Sequence, residues 1–321
     1  MATPRLNRVR LSQAPTPLQR LERLSAHTGV DFWMKRDDLT GDIGLGGNKV
    51  RKLEYLLGEA LAAGATHVLT TGGPQSNHAR ATAAACARLG LGCVLVLAGR
   101  DPGARQGNLL LDQLYGAEIR FPGAVTPADQ ARALDEAAAE VAAAGGRPYV
   151  ITVGGSTALG SVGSYECYAE MAEALPPGTW VCTTTGSGGT HAGLALGAVT
   201  LGPAGVRVQG FSVWQPTSVL EPLVRGLVTE TAALLQADLP PTFDVHVDDG
   251  YLAPRYGKAN EAGLAAIALV ARLEGILLDH VYTGKAMAGV LDYVRRGVIP
   301  AGSRVVFVHT GGAPAVFGGM G

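Results

Sequence analysis

The sequence predicts an α/β fold with two domains, each built on a mainly parallel twisted sheet flanked by helices. Apolar, strand-like runs alternate with segments of helical periodicity along most of the 321 residues. This alternation is typical of parallel sheets with right-handed crossovers. The chain is longer than most single domains, which favours two. Only 17% of its residues are charged, as expected for a protein with a large buried core.

Composition excludes several function classes. The net charge of −1 leaves no broad basic field for nucleic acid or a membrane surface. The chain begins with no signal-like pattern and contains no apolar run long enough to span a bilayer, so we expect a cytoplasmic protein. The seven histidines lack metal-ligand spacing, so no metal site is predicted. No C-x-x-C pair occurs, and the cysteines are interpreted as buried thiols: Cys86, Cys93, Cys167 and Cys182.

The first part of the chain contains few apolar residues in a regular pattern. Residues 1–29 are polar and interrupted by prolines, and we interpret them as an arm laid over a domain. A short strand is predicted at 31–36, followed by a loop at 37–42. That loop leads into the paired glycines Gly46 and Gly47.

From there strands and helices alternate. The predicted strands span 67–71, 93–97, 118–121, 149–153, 180–184, 206–213 and 304–309. The predicted helices begin near Lys49 and then cover 77–89, 108–115, 128–144, 189–199, 219–235, 258–273 and 284–296. The stretch Gly154-Gly155-Ser156 interrupts this rhythm with a flexible turn, and we place a domain boundary there.

Lys49 stands at the start of the first long helix. Gly46 and Gly47 allow a tight turn before it, and Asn48 is a good helix cap. The helix dipole disfavours a cation in the first turn. Lys49 is therefore either an ordinary solvated residue or an amine with a special task, such as forming a Schiff base.

In open parallel sheets, ligands bind beyond the carboxyl ends of the strands, which directs attention to the loops there. The loop at 71–78 ends in the polar residues Ser76, Asn77 and His78 at a predicted helix N-terminus. Capping requires only one such side chain. Three in a row predict a receptor for a carboxylate, with simple capping as the alternative.

A glycine-rich loop follows the strand at 180–184. Its backbone N–H groups and hydroxyls suit an anion at a helix N-terminus. A dinucleotide fingerprint would need glycine where His191 stands, and a P-loop would need a lysine. What remains is a cradle for a single phosphate, or a plain tight turn. The cradle comprises Gly186, Ser187, Gly188, Gly189 and Thr190.

Two further loops carry polar and aromatic side chains. Tyr251 and Tyr256 lie in an irregular segment, and Tyr282 comes directly before a predicted helix. Thr310 follows the last strand. From the residues alone, the two tyrosines of the irregular segment could be ordinary packing residues. A lysine, a phosphate cradle and small hydroxyls at strand ends together predict pyridoxal 5′-phosphate as cofactor.

Several sequence blocks resemble the D-cysteine desulfhydrase / 1-aminocyclopropane-1-carboxylate (ACC) deaminase family, which has the tryptophan-synthase-β fold (pyridoxal-phosphate fold type II). The resemblance covers nearly the whole chain. The blocks are PTPL, KRDDLTGDIGLGGNKVRKLEYL, QSNHAR, RPYVITVGGS, GSGGTHAGLALG, RLEGILLDHVYTGKAMAG and VHTGGAPAVFG.

The resemblance implies roles for these positions. Lys49 would be the Schiff-base lysine, and the cradle would hold the cofactor's phosphate. Asn77 would contact the cofactor's phenolic oxygen, Tyr282 would pack on its ring, and Tyr256 would lie near the substrate. The implied catalytic set is Lys49, Ser76, Tyr256 and Tyr282.

The resemblance also implies an organisation. A smaller domain, 48–153, would be inserted into a larger cofactor-binding domain formed by 1–47 and 154–321. The active site would lie in the cleft between them. The family usually forms homodimers.

Two positions bear on the reaction. Deaminases of this family carry a glutamate where Thr283 stands and a leucine where Thr310 stands. A carboxylate against the cofactor's pyridine nitrogen strengthens the electron sink, whereas a hydroxyl does not. By this resemblance Thr310, together with Thr283, would hydrogen-bond the pyridine nitrogen without protonating it. The two threonines therefore favour β-elimination from D-cysteine to pyruvate, ammonia and hydrogen sulfide. The alternatives are ACC deamination, L-cysteate sulfo-lyase activity, elimination from another β-substituted alanine, or a non-catalytic protein that binds the cofactor.

Overall fold

The structure, a computed structural model, describes residues 5–123 and 126–318. Within them the strands are β1 Leu18–Arg20, β2 Asp31–Lys35, β3 His67–Gly72, β4 Gly92–Leu97, β5 Glu118–Arg120, β6 Pro148–Ile151, β7 Trp180–Thr185, β8 Arg207–Ser212, β9 His246–Asp248 and β10 Arg304–Val308. The α-helices are α1 Glu22–Thr28, α2 Asn48–Ala62, α3 Asn77–Leu89, α4 Gly107–Leu114, α5 Pro127–Ala143, α6 Ala158–Ala169, α7 Gly189–Leu201, α8 Thr217–Leu235, α9 Glu261–Glu274 and α10 Thr283–Arg295.

The strands form two sheets. One has six strands in the order β1-β2-β10-β7-β8-β9, and the other has four in the order β5-β4-β3-β6. All the neighbouring pairs are parallel except β1 with β2. The predicted α/β class with mainly parallel sheets is confirmed.

The four-stranded sheet comes from one continuous part of the chain. Its strands lie between residues 67 and 151, whereas the six-stranded sheet combines strands from before and after that part. The division into 48–153 and the remainder, 1–47 with 154–321, stays a prediction. Its portions at 1–4, 124–125 and 319–321 lie outside the described residues.

Strand β4 shows why the small sheet is stable. Leu95 and Leu97 pack into a cluster with residues of α2 and α3 on one face. Val94 and Val96 pack on the other face, against α5. Successive strand residues point to opposite faces, so a continuous apolar run fits a strand that is covered on both sides.

The N-terminal segment contains regular secondary structure and contributes to the core, whereas an arm laid over a domain was predicted. It contains β1 and α1, and both Leu21 and Leu24 are 0% exposed in the core of the large sheet. The helix has only seven residues, too few to show a clear period. The interpretation of 1–29 as a surface arm is therefore wrong for its second half.

Helix α6 was not predicted from the sequence, because its glycines, serines and alanines conceal helical periodicity. Those small residues are needed for contact with neighbouring helices. A Cβ at Gly163 would lie 2.5 Å from the carbonyl oxygen of Arg51 in α2. Likewise, a Cβ on Gly193 of α7 would lie 2.3 Å from the carbonyl oxygen of Ser161. In the described part of the chain, no helix is long and apolar enough to cross a membrane.

Candidate active site

A cavity of about 270 Å³ lies at the carboxyl ends of strands from both sheets. Its walls come from the loops after β3, β6, β7, β8 and β10 and from the start of α2. This placement follows the general rule for ligand sites in parallel sheets. The cavity brings together most of the predicted site residues: Lys49, Ser76, Asn77, His78, Gly186, Ser187, Gly188, Thr190, Tyr256, Tyr282 and Thr310.

Two glycines place Lys49. Gly46 and Gly47 have φ of 70° and 105°, a region that favours glycine. A Cβ on Gly46 would lie 2.5 Å from the carbonyl oxygen of Asp38. A Cβ on Gly47 would lie 3.0 Å from that of Thr310. The chain can therefore turn into α2 here only without side chains, and the turn aims Lys49 into the cavity.

The Lys49 amine is poised to react. Burial lowers the pKa of Lys49 to about 8. At pH 7 about a tenth of the amine is then neutral, and hence nucleophilic and basic. Its Nζ lies 3.4 Å from the carbonyl oxygen of Gly154, which accepts a hydrogen bond from it.

A second lysine, not predicted from the sequence, lies beside the first. Lys52 is fully buried, and its Nζ donates to Ser156 Oγ at 3.1 Å and to the Gly154 carbonyl oxygen at 3.3 Å. Burial and the neighbouring charge of Lys49 hold the pKa of Lys52 well below its usual value. Residues three apart in a helix share a face, so this spacing could have identified Lys52.

The cradle is positioned by close packing and by hydroxyl contacts. Gly188 has φ of 84°, and a Cβ there would lie 2.4 Å from Leu223 Cδ2. A Cβ on Gly189 would lie 2.7 Å from Lys52 Nζ. Ser187 Oγ is 2.7 Å from Ser156 Oγ. Gly189 does not itself line the cavity, but its amide begins α7 immediately behind the loop.

Asn48 contributes to the cradle and not to the helix cap. It is the first residue of α2, and the capping position is held by Gly47. The Asn48 side chain instead donates from Nδ2 to Thr190 Oγ1 at 2.7 Å. The prediction that Asn48 caps this helix is therefore wrong. Asn48 lies one residue inside the helix, and its side-chain amide links α2 to the cradle.

Ser76 both caps α3 and lines the cavity, and its predicted role in binding a carboxylate stays a prediction. Its hydroxyl caps α3 by accepting a hydrogen bond from the Ala79 amide at 3.2 Å, and it also lines the cavity. His78 Nε2 is 2.9 Å from Thr70 Oγ1, and burial holds the pKa of His78 well below its usual value. His78 is therefore neutral. Asn77 Oδ1 accepts from Asn108 Nδ2 at 2.8 Å.

The two cavity tyrosines form a pair. The hydroxyls of Tyr256 and Tyr282 are hydrogen-bonded to each other, and their ring centroids are 5.9 Å apart. Desolvation by the surrounding protein raises the pKa of both tyrosines, so both phenols keep their protons at neutral pH. Trp214, not predicted from the sequence, also lines the cavity, 6.1 Å from Tyr256 between ring centroids.

Thr283 does not line the cavity. It is fully buried, and its hydroxyl donates to Asp279 Oδ1 at 2.7 Å and accepts from the Asp279 amide at 2.8 Å. The Asp279 carboxylate also accepts from the amides of Val281, Tyr282 and Thr283 at 2.8 to 2.9 Å. Thr283 thus helps to place the segment that carries Tyr282, whereas Thr310 lies on the cavity wall.

The cavity fits a phosphate-bearing aldehyde cofactor. It offers a reactive amine, a second lysine and a glycine-rich helix N-terminus, which together suit an aldehyde joined to a phosphate. Several buried polar atoms of its walls have no hydrogen-bond partner among the described residues, namely His78 Nδ1, Thr184 Oγ1 and His191 Nε2. Within the same residues, no group of three or more His, Cys, Asp or Glu could hold a metal ion.

Comparisons with known proteins agree with this chemistry. Residues 9–311 match the family described as pyridoxal-phosphate dependent enzyme. The D-cysteine desulfhydrase of Klebsiella pneumoniae (strain 342) is 44% identical over 322 residues, covering 98% of this chain and 96% of that protein. The same enzyme of Salmonella newport (strain SL254) is 44% identical over 321 residues, with the same coverage. A solved ACC deaminase homologue superposes with a TM-score of 0.89 at 38% identity, covering 98% of this chain and 94% of its own.

Proposed function

The chain belongs to the pyridoxal-phosphate dependent enzyme family, and we propose that it eliminates hydrogen sulfide from D-cysteine, after which water hydrolyses the released enamine to pyruvate and ammonia. The D-cysteine desulfhydrases similar to it over nearly their full length support this choice. One observation carries it: among the described residues, no aspartate or glutamate lines the cavity. Elimination of a good leaving group does not require the strong electron sink that a carboxylate at the pyridine nitrogen would create.

The residues of the cavity divide the work of binding. Bound pyridoxal phosphate supplies an electron-withdrawing ring that stabilises negative charge on the substrate's α-carbon. The cradle, with Lys52 beside it, would hold the phosphate through backbone amides and one cation. Ser76 and Asn77, at the N-terminus of α3, would bind the substrate carboxylate, with His78 behind them as a neutral support. Thr310 would face the pyridine nitrogen with a hydroxyl.

Lys49 and the tyrosine pair would move the protons. Lys49 would hold the cofactor covalently through Nζ and, once freed by the substrate's amine, take the α-proton. Its pKa of about 8 suits a base that works near neutral pH. The phenols of Tyr256 and Tyr282 carry protons there, so this pair would supply the proton that the departing sulfur takes. Trp214 beside them would limit the size of the β-substituent.

ACC deamination is the second candidate, because the chain superposes closely on an ACC deaminase homologue. Opening a cyclopropane ring has no good leaving group and therefore needs more stabilisation of charge. The absence of an acidic side chain on the described cavity walls argues for elimination instead. From the family resemblance we also propose that the protein is a cytoplasmic homodimer, which sedimentation of the purified protein would test.

Product release from a set of amino acids tests the proposal. Purified holoenzyme is given D-cysteine, L-cysteine, L-cysteate, β-chloro-D-alanine or ACC, and pyruvate, ammonia and sulfide are measured. We expect D-cysteine to give all three products in equal amounts. Rapid turnover of ACC with none of D-cysteine would refute the assignment. Cofactor binding without any product would indicate a carrier and not an enzyme.

A further inference from the structure

Asn108 supports the active site from outside it. The side chain is fully buried in the second position of α4 and does not line the cavity. Its Nδ2 donates two hydrogen bonds, to the Gln75 carbonyl oxygen at 2.8 Å and to Asn77 Oδ1 at 2.8 Å. Gln75 lies in the loop between β3 and α3, and Asn77 is the first residue of α3.

These contacts determine which way the Asn77 amide points. A carbonyl oxygen can only accept, so the contact with Gln75 identifies the donor end of the Asn108 amide. The other hydrogen on the same nitrogen must then meet an acceptor, which identifies the facing atom of Asn77 as Oδ1. The Nδ2 of Asn77 therefore points away from α4. It lies 3.1 Å from the Cβ position of Gly312, in the turn that follows Thr310.

The remaining contacts show that Asn108 acts as a donor. Its Oδ1 has no hydrogen-bond partner among the described residues, whereas both hydrogens of its Nδ2 are used. Its backbone amide donates to Gln75 Oε1 at 2.9 Å, and Gln75 Nε2 donates to the Gln106 carbonyl oxygen at 3.0 Å. The Gln75 contacts thus join the loop to the start of α4, and the Asn108 side chain determines the orientation of the Asn77 amide.

We propose that Asn108 is a positioning residue that holds Asn77 with its Nδ2 donating into the cavity. The inference rests on the proposed function, in which the groups that face Asn77 are acceptors: the substrate carboxylate or a cofactor oxygen. If the Asn77 side-chain amide were flipped by half a turn, it would present its oxygen to those acceptors. Repulsion would then replace a charge-assisted hydrogen bond.

Two variants of Asn108 separate positioning from packing. Asn108→Asp keeps the shape of the side chain but replaces the donor with a carboxylate, which favours the turned Asn77 amide. Asn108→Ala removes both the donor and most of the side-chain volume, but it leaves the Asn77 amide free to adopt either orientation. A packing role predicts that alanine is the more harmful change, since it leaves a cavity. A positioning role predicts that aspartate is the more harmful change for binding.

Three measurements on the holoenzymes give the result: the unfolding midpoint, cofactor affinity from visible absorbance, and KM for D-cysteine. We expect Asn108→Asp to weaken cofactor affinity or raise KM by about tenfold more than Asn108→Ala does. Equal effects, or a larger effect of alanine in both measurements, would overturn the inference. If the proposed reaction failed, so that D-cysteine gave no sulfide, the order of cofactor affinities would still decide this point.

If Asn108→Asp does not fold, a substrate-bound structure of the unaltered protein tests the orientation of the Asn77 amide instead. At a resolution that distinguishes nitrogen from oxygen, Asn77 Nδ2 should contact an oxygen of the cofactor or of a bound D-amino acid. Oδ1 in that place, with Nδ2 turned towards Asn108, would contradict the inference.

Discussion

The cradle and the segment that carries Tyr256 are held in place in different ways. The cradle depends on backbone packing, because side chains at Gly188 and Gly189 would collide with Leu223 and Lys52. The Tyr256 segment has no helix or strand between β9 and α9, and Tyr256 is 38% exposed. That segment is held by side chains. The cofactor-binding region is therefore sensitive to added volume, and the tyrosine region to lost contacts.

Lys285 is one of the side chains that hold the tyrosine region. It is fully buried in α10, and its Nζ donates to the carbonyl oxygens of Leu252 and Arg255 at 2.7 and 3.1 Å. Asp279 fixes the neighbouring Tyr282 in a similar way, through three backbone amides. Lys285 and Asp279, neither of which lines the cavity, thus help to place the phenols of Tyr256 and Tyr282.

Lys49→Ala should have the largest effect and sets the scale for both regions. Turnover at saturating cofactor should fall by about a hundredfold to ten-thousandfold, because the covalent anchor and the base are both lost. Lys52→Ala is the matched control on the same helix face. It should lower cofactor affinity, and excess cofactor should restore most of its turnover. Normal pyruvate release by Lys49→Ala would contradict the assignment of this lysine.

Gly188→Val tests the volume limit of the cradle. The new side chain meets Leu223 and requires a φ that valine avoids, so cofactor affinity should fall by about a hundredfold. The control is Gly186→Ala, whose Cβ would meet nothing nearer than 4.0 Å and should weaken binding far less. Titration of apo-protein with pyridoxal phosphate measures both. Equal losses would show that loop composition matters more than packing.

Lys285→Met tests the tie of the tyrosine region. Loss of two charge-assisted hydrogen bonds should loosen the Tyr256 segment and lower kcat by about tenfold, with cofactor affinity close to normal. Combining it with Tyr256→Phe gives a decisive control. If Lys285 acts through Tyr256, the double variant should be little worse than Tyr256→Phe alone. Fully additive losses would place the action of Lys285 elsewhere.

A change of pH tests the Lys49 amine without any substitution. The pKa of Lys49 is lowered to about 8, so its amine loses its proton as the pH rises through that value. Only the neutral amine attacks an aldehyde. The rate at which apo-protein takes up pyridoxal phosphate should therefore rise about tenfold per pH unit below this pKa and level off above it. Stopped-flow absorbance measures the rate, and a flat profile would show that another step limits uptake.

Much of the fold and of the site could be predicted from the sequence. Lys49 and the cradle were recognisable because glycines and polar residues stood at predicted strand ends, where parallel sheets place their ligands. Spacing alone could not distinguish the two tyrosines of the irregular segment, and only the family resemblance favoured Tyr256. Tyr256 lines the cavity, whereas Tyr251 packs on Phe211 with ring centroids 5.7 Å apart.

The residues that were missed depend on tertiary neighbours. Trp214 and Asn108 carry no local signal, because their importance comes from Tyr256 and Asn77, which are distant in sequence. Thr283 was placed at the pyridine nitrogen by resemblance. The structure shows its hydroxyl engaged with Asp279, a contact that no spacing rule predicts. The roles of the cavity residues as a whole stay predictions.

The two lysines under the cradle have a consequence for the life of the protein in the cell. Without cofactor, burial and mutual repulsion make the charged forms of Lys49 and Lys52 unfavourable neighbours. A bound phosphate group carries close to two negative charges and relieves that repulsion. A ligand that binds only the folded chain also stabilises it, and the gain increases with ligand concentration. Scarcity of the vitamin from which the cofactor is made should therefore reduce not only the activity of this protein but also its abundance, as unloaded chains unfold and are degraded.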